Sequence, residues 1–231
     1  MLSRHSVIAL IPARAGSKRL INKNILPLAG IPLMAWSINA AKASTHVDRI
    51  VVSTDSADIA SLAAEYGAEV PFIRPTALSE DTSSTFDVIL HAITTLNLAD
   101  EDILLLLQPT SPLRTAAHID GALSRLSERE ADGVVSVTPC SHSPLWSNTL
   151  PEDGSMRDFI RPEIRGKRSQ DLPQYYRLNG AIYAFKVSSL LKNQSIDYSK
   201  NVFSYVMPED CSFDIDTEID FKVCELFASR I

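Results

Sequence analysis

Two hydrophobic rhythms alternate along this chain. Solid apolar runs at residues 6–11, 49–53, 103–107 and 134–137 read as strands, and the run at 103–107 is the most continuous. A further short strand is expected at 70–73. Between these runs the pattern switches to a helical period. Phe86, Ile89, Leu90 and Ile93 fall at i, i+3, i+4 and i+7 and predict a helix over 84–96. Helices are also predicted at 32–43, 115–130 and 56–66, the last stopped by Gly67. Repeated strand–helix units with strands buried on both faces predict an α/β fold. Its sheet is expected to be mostly parallel and flanked by helices. In such a sheet ligands bind beyond the carboxyl ends of the strands.

The rhythm breaks over 139–176, which contains Pro139, Pro144, Pro151, Pro162 and Pro173 and has little periodicity. A stretch this long without regular structure is unusual in a compact domain and is often functional. It reads as an inserted arm that packs against a second subunit or over the active site. Regular structure is expected again as strands at 180–185 and 202–207 and as helices at 187–191 and 217–229. The 231 residues thus read as one domain, 1–231, with 139–176 as a dimerisation or lid arm.

Charge narrows the function. The net charge is −6 and the basic residues form no extended stripe, so a nucleic-acid surface is not expected. No apolar run is long enough to span a bilayer. The first residues lead straight into a strand without the apolar core of a signal peptide, so a cytoplasmic protein is expected. Cys140, Cys211 and Cys224 are far apart and lack zinc-type spacing, which reads as reduced thiols.

Against this acidic background, Arg14, Lys18, Arg19 and Lys23 crowd into ten positions directly after the first strand, with Gly16 and Ser17 among them. Backbone freedom, exposed N–H groups and fixed positive charge at a strand end suit a triphosphate. The run is neither a P-loop nor a G-x-G-x-x-G turn, which argues against an ATPase or a Rossmann dehydrogenase. A second run, Leu-Gln-Pro-Thr-Ser-Pro-Leu-Arg at 107–114, leaves the central strand. Its Gln108, Thr110 and Ser111 suit reading a base or sugar edge, and equally suit an ordinary turn with Ser111 or Thr115 as helix cap. In a third run, Phe-Asp-Ile-Asp at 213–216, Asp214 and Asp216 point to one side of an extended chain. They suit Mg²⁺ or Mn²⁺ as hard oxygen ligands. Helix capping by Thr217 and Asp220 is compatible with that role. Lastly, Arg168, Gln170, Arg177 and Asn179 approach a strand and suit a sugar carboxylate and its N-acyl groups.

Together these runs resemble the acylneuraminate cytidylyltransferase family, the CMP-sialic acid synthetases, over nearly the whole chain. The resemblance rests on the residues from Ile11 to Asn24, Val51-Val-Ser-Thr-Asp55, Arg74-Pro75, Leu107 to Arg114, Gln170-Asp-Leu-Pro, Asn179-Gly-Ala-Ile-Tyr183 and Phe213-Asp-Ile-Asp216. It implies a Rossmann-like, nucleotide-diphospho-sugar transferase-like fold and a homodimer with an extended arm. It also implies transfer of CMP from CTP to the anomeric hydroxyl of a nonulosonic acid, with Mg²⁺ and release of pyrophosphate. By matching position, Arg14, Ser17, Lys18, Lys23 and Asn24 would bind the triphosphate, and Arg74, Ser83 and Thr85 the cytosine and ribose. Gln108, Thr110, Ser111, Arg168, Gln170 and Tyr183 would serve the sugar. Asp214 and Asp216 would hold the metal and, with Arg14 and Lys23, form the catalytic set. Where the family often carries arginine before the Gln of Gln-x-Leu-Pro, this chain has Ser169 with Arg168 before it. Asp214 or a water on the metal would accept the anomeric proton. Pseudaminate and eight-carbon ulosonates are alternative acceptors. A nucleotide-sugar glycosyltransferase is a more distant reading, and the C-terminal position of Asp214-Ile-Asp216 argues against it.

Overall fold

The computed structural model describes residues 5–17, 19–80, 82–198 and 201–228. Strand β1 (Val7–Pro12) is followed by a small hairpin, β2 (Pro27–Leu28) and β3 (Ile31–Pro32), and by helix α1 (Leu33–Lys42). Then come β4 (Arg49–Ser53), α2 (Ala57–Glu65), α3 (Thr85–Leu96), β5 (Ile103–Leu106), α4 (Ala116–Glu128) and β6 (Gly133–Pro139). The chain closes with β7 (Tyr176–Lys186), α5 (Val187–Asn193), β8 (Val202–Val206) and α6 (Glu218–Ala228).

Six strands form one sheet in the order β4-β1-β5-β7-β6-β8. Among the described strands of this sheet, β7 alone runs against the rest, paired antiparallel with both β5 and β6. The two-residue period of β1 sends Ile8 and Leu10 to one face and Ala9 and Ile11 to the other. The Ala9/Ile11 face packs on α1, α2 and α4 through Met34, Ile38, Ile59, Ala63, Ile119 and Leu123. The opposite face packs on α3 and α5 through Ile89, Ile93 and Leu190. A third cluster joins α6 to the hairpin and to the end of the 107–114 run through Leu28, Leu33, Leu113, Ile215 and Cys224. All three cysteines are free, and burial pushes the Cys224 thiol up to about 12.

Two elements depart from the sequence pattern. Residues 70–73 form no strand. The chain runs beside β4 through isolated bridges of Val51 with Glu69 and of Thr54 with Ile73. Pro71 lacks the N–H that a ladder needs, so pairing stops there. Strand β7 starts four residues earlier than its apolar core at Gly180. It carries a bulge, because Val135 pairs with Tyr183 whereas Val137 pairs with Leu178. Ser136 and Asn179 fill the bulge: Ser136 Oγ donates to Asn179 Oδ1 at 2.6 Å and accepts from Ile182 N at 2.8 Å. Gly180 supplies the positive φ of +74°. A Cβ there would also sit 3.4 Å from Gln108 Oε1, so the glycine lets that side chain lie against the strand.

Between β6 and β7 the chain forms only short 3-10 turns, at Pro144–Trp146 and Ser169–Asp171. Trp146, Met156, Phe159, Ile160 and Ile164 line a hollow of about 390 Å³ within it. No helix among the described residues is long and apolar enough to cross a membrane.

Candidate active site

A cleft of about 690 Å³ opens beyond the carboxyl ends of β1 and β5. Its walls are the loop after β1, the turns before α3, the 107–114 run and the acidic segment before α6. Each wall is fixed by bonds that reach across the fold. The β1 loop is pinned at its start: Ala15 N donates to Asp55 Oδ1 at 2.9 Å, and Asn24 Nδ2 donates to the Arg14 carbonyl at 2.8 Å. Arg14 Nη1 donates to the Ser79 carbonyl at 3.1 Å. Beside it Arg74 is buried, with its Nε donating to Ser79 Oγ at 3.0 Å. Burial lowers the Arg74 pKa, Asp55 opposes that effect and Arg14 adds to it.

The 107–114 run is held from below by Arg114. Its guanidinium is buried and donates to the carbonyls of Ala181 at 2.7 Å and Gln108 at 3.3 Å, and to Ser37 Oγ. No carboxylate faces it in these contacts, and burial pushes its pKa down to about 9. Thr110 links this run to the acidic segment: Ile215 N donates to the Thr110 carbonyl at 2.8 Å. Ile215 is fully buried, so Asp214 and Asp216 flank it on the open side. Asp214 keeps solvent access but is ringed by protein atoms. That desolvation raises its pKa, the Thr110 hydrogen bond opposes the rise, and Asp216 adds to it. Lys23 Nζ donates to the Ile215 carbonyl at 2.5 Å and lies 3.6 Å from Asp216 Oδ1. Arg19 Nη1 donates to Asp216 Oδ2 at 2.9 Å.

The structure therefore brings Arg14, Ser17, Lys23, Asn24, Arg74, Ser83, Thr85, Gln108, Thr110 and Asp216 to the wall of one cleft. Lys18 lies outside the described residues. Ser111 is fully buried and donates to the Asn179 carbonyl, so it supports the wall from behind. Asn179 is likewise interior and donates to Ser212 Oγ at 2.9 Å, while Arg177 Nη2 donates to the Ser212 carbonyl at 3.2 Å. Tyr183 is half-buried on β7, opposite Leu106 and Val135. Burial raises the pKa of its hydroxyl, with smaller contributions from Tyr198 and Asp214. Arg168 and Gln170 are exposed on the 140–175 segment and do not line this chain's cleft; Arg168 pairs with Asp171 at 2.9 Å. Sequence reasoning gave no separate role to Asp55 or Arg114, and counted Arg19 only as one of the four cations after the first strand. The first two act on backbone groups distant in sequence, and only their places at the ends of β4 and of the 107–114 run signalled them.

Among the described residues no three His, Cys, Asp or Glu side chains converge. Asp214 and Asp216 fit the pattern in which one or two carboxylates hold Mg²⁺ and substrate phosphates supply further oxygens.

A family model described as Cytidylyltransferase matches residues 8–205. The CMP-N,N'-diacetyllegionaminic acid synthase of Legionella pneumophila is 39% identical over 228 residues, covering 95% of this chain and 94% of that protein. The N-acylneuraminate cytidylyltransferase of Escherichia coli O18:K1:H7 is 35% identical over 95% of this chain, which spans 51% of that longer protein. Among solved structures, a CMP:2-keto-3-deoxy-manno-octonic acid synthetase complexed with CTP superposes with a TM-score of 0.74 at 18% identity. That match covers 98% of this chain and 100% of the other, and it shows the shared fold. With the cleft at the strand ends and the family match over most of the sheet, this chain belongs to the cytidylyltransferase family and is a nucleotidyltransferase.

Proposed function

We propose that this enzyme transfers CMP from CTP to the anomeric hydroxyl of a nonulosonic acid of the N-acylneuraminate or legionaminate type, releasing pyrophosphate. The observation that carries the reading is the placement of Arg14, Lys23 and Asp216 around one cleft whose far wall is Gln108 and Thr110. Arg14 and Lys23 meet the negative charge of the triphosphate and of the departing pyrophosphate. Arg74, Ser83 and Thr85 surround the cytidine. Gln108 and Thr110 orient the sugar so that its anomeric oxygen lies in line with the α-phosphorus. As the new O–P bond forms and the bond to pyrophosphate breaks, Asp214 accepts the hydroxyl proton; desolvation raises its pKa, which makes it a stronger proton acceptor than an exposed carboxylate. Asp214 and Asp216 would hold Mg²⁺, which when bound neutralises phosphate charge. The relative named for diacetyllegionaminate matches nearly end to end, which favours that sugar as the first to try.

The working unit is proposed to be a homodimer in which the 139–176 arm of one subunit serves the other. Arg168 and Gln170 stand away from their own chain's cleft, which supports that arrangement. The test is pyrophosphate release from CTP and Mg²⁺ with N-acetylneuraminate, diacetyllegionaminate, pseudaminate and an eight-carbon ulosonate in parallel. Release with either of the first two is expected, and their kcat/KM ratio sets the sugar. Release with none of the four, from protein that binds CTP, would overturn the acceptor class.

A further inference from the structure

The run that leaves β5 is backed by three successive residues of β7. Ser111 Oγ donates to the Asn179 carbonyl at 3.4 Å, and Arg114 Nη1 donates to the Ala181 carbonyl at 2.7 Å. Between them lies Gly180, where a Cβ would stand 3.4 Å from Gln108 Oε1. Arg114 does more than join the run to the strand. Its Nη1 also donates to the Gln108 carbonyl at 3.3 Å, and its Nη2 donates to Ser37 Oγ on α1. Ser37 Oγ in turn donates to the same Gln108 carbonyl at 3.4 Å. Gln108 is thus docked on β7 at both ends, its main chain through the guanidinium and its amide against Gly180. The arrangement is costly. Arg114 is buried; among the described residues its Nε has no hydrogen-bond partner, and its other donors meet carbonyls and a hydroxyl. An interior charge without a counter-ion is expensive, and an apolar side chain of similar length would fill the space at lower cost. What arginine adds is its planar fork, which bridges α1, β7 and Gln108 at once and which neither Met nor Lys reproduces.

We propose that Arg114 is a positioning residue for the acceptor sugar: from behind the cleft it fixes Gln108, and through Gln108 the angle at which the anomeric hydroxyl meets the α-phosphorus. This rests on the proposed assignment of Gln108 to the sugar. The nucleotide side of the cleft is tied by other bonds, Ala15 N to Asp55 and Arg74 Nε to Ser79 Oγ, which share no atom with this network. An in-line transfer tolerates little displacement, and a shift of about 1 Å costs on the order of 10²-fold. Loss of the clamp therefore acts on the use of the sugar and leaves CTP binding as it is.

Steady-state kinetics with the better of N-acetylneuraminate and diacetyllegionaminate, together with CTP calorimetry, decide it for the wild type, Arg114→Met, Gln108→Ala and the double variant. Arg114→Met should lower kcat/KM for the sugar by about 30-fold to 100-fold while CTP affinity stays within about twofold. In the Gln108→Ala background the same substitution should cost less than about threefold more, because the group it positions is already gone. Its loss in melting temperature should be the same in both backgrounds, which separates positioning from folding. Ser37→Ala removes one member of the clamp without opening a large cavity and stands in if Arg114→Met does not fold. It should lower kcat/KM for the sugar by about threefold to tenfold, again with CTP affinity unchanged and the effect absent without Gln108. An equal loss of CTP affinity, or a sugar effect that multiplies onto that of Gln108→Ala, would overturn the positioning role while wild-type turnover keeps the acceptor reading standing. No pyrophosphate release by the wild type with either sugar would overturn the acceptor reading and the positioning role together.

Discussion

The loops around the cleft and the 140–175 segment both carry arginines and prolines, yet they are held in opposite ways. Cleft residues are tied across the fold. Ala15 bonds to Asp55, Arg114 to Ala181, Ile215 to Thr110 and Lys23 to Ile215, spans of roughly 40 to 190 residues. The 140–175 segment is held mainly by bonds within itself, such as Asn148 to the Asp158 and Phe159 carbonyls and Arg168 to Asp171. At its base Cys140 N donates to the Tyr175 carbonyl. Its Leu150 and Met156 are exposed, as are Leu178 and Val206, which flank Val137 on adjoining strands. One region is set by its own core. The other presents apolar surface that its own core leaves uncovered, and this is why a second subunit is proposed there.

The contrast can be broken most directly in the cleft. Lys23→Ala and Asp216→Ala should each lower turnover by about 10²-fold or more, the scale seen when one charge-stabilising group is lost. Near-normal turnover in either would remove that residue from the mechanism. Stability should divide the same way. Arg114→Ala takes the buried guanidinium away from the Ala181 carbonyl and removes one of the donors to the Gln108 carbonyl, and should cost about 3 kcal/mol in urea unfolding. Leu150→Asp, on the arm, should change monomer stability by less than about 0.5 kcal/mol. Equal costs would mean that the arm is as well anchored as the cleft.

Mixing sharpens the question of the arm. If Arg168 acts in the partner's cleft, Lys23→Ala and Arg168→Ala subunits mixed equally and allowed to exchange should recover about a quarter of wild-type activity. Half the dimers are then mixed and each carries one intact site. No recovery from two variants that still exchange would place Arg168 outside the partner's site.

The smallest expected effect is electrostatic. Burial raises the Asp214 pKa, so just above the ordinary carboxyl range the folded state holds a proton that the unfolded state has released. Stability therefore falls as pH rises through that window, and the deficit persists at neutral pH. Asp214→Asn should melt slightly above wild type at about pH 7 and level with it near pH 3, while losing activity. A lower melting temperature at neutral pH would mean that the carboxylate is stabilised by its neighbours.

The chain's pattern by itself determined the strands and the helical faces, because burial on a sheet or a helix imposes periods of 2 and 3.6 that survive in the sequence. It also determined which runs carry charge at strand ends, and so pointed to Arg14, Lys23 and Asp216. Tertiary structure decided how those runs meet. It turned residues 70–73 from a strand into a bridged edge at Pro71, and extended β7 through a bulge shaped by Ser136, Asn179 and Gly180. It placed Ser111 behind the cleft wall and Arg168 away from it, and set Arg19 on Asp216 across 197 positions of sequence. Such pairings leave no periodic trace. A hydrogen bond between a side chain and a distant backbone carbonyl constrains one position and a geometry, and the geometry exists only after the sheet has closed.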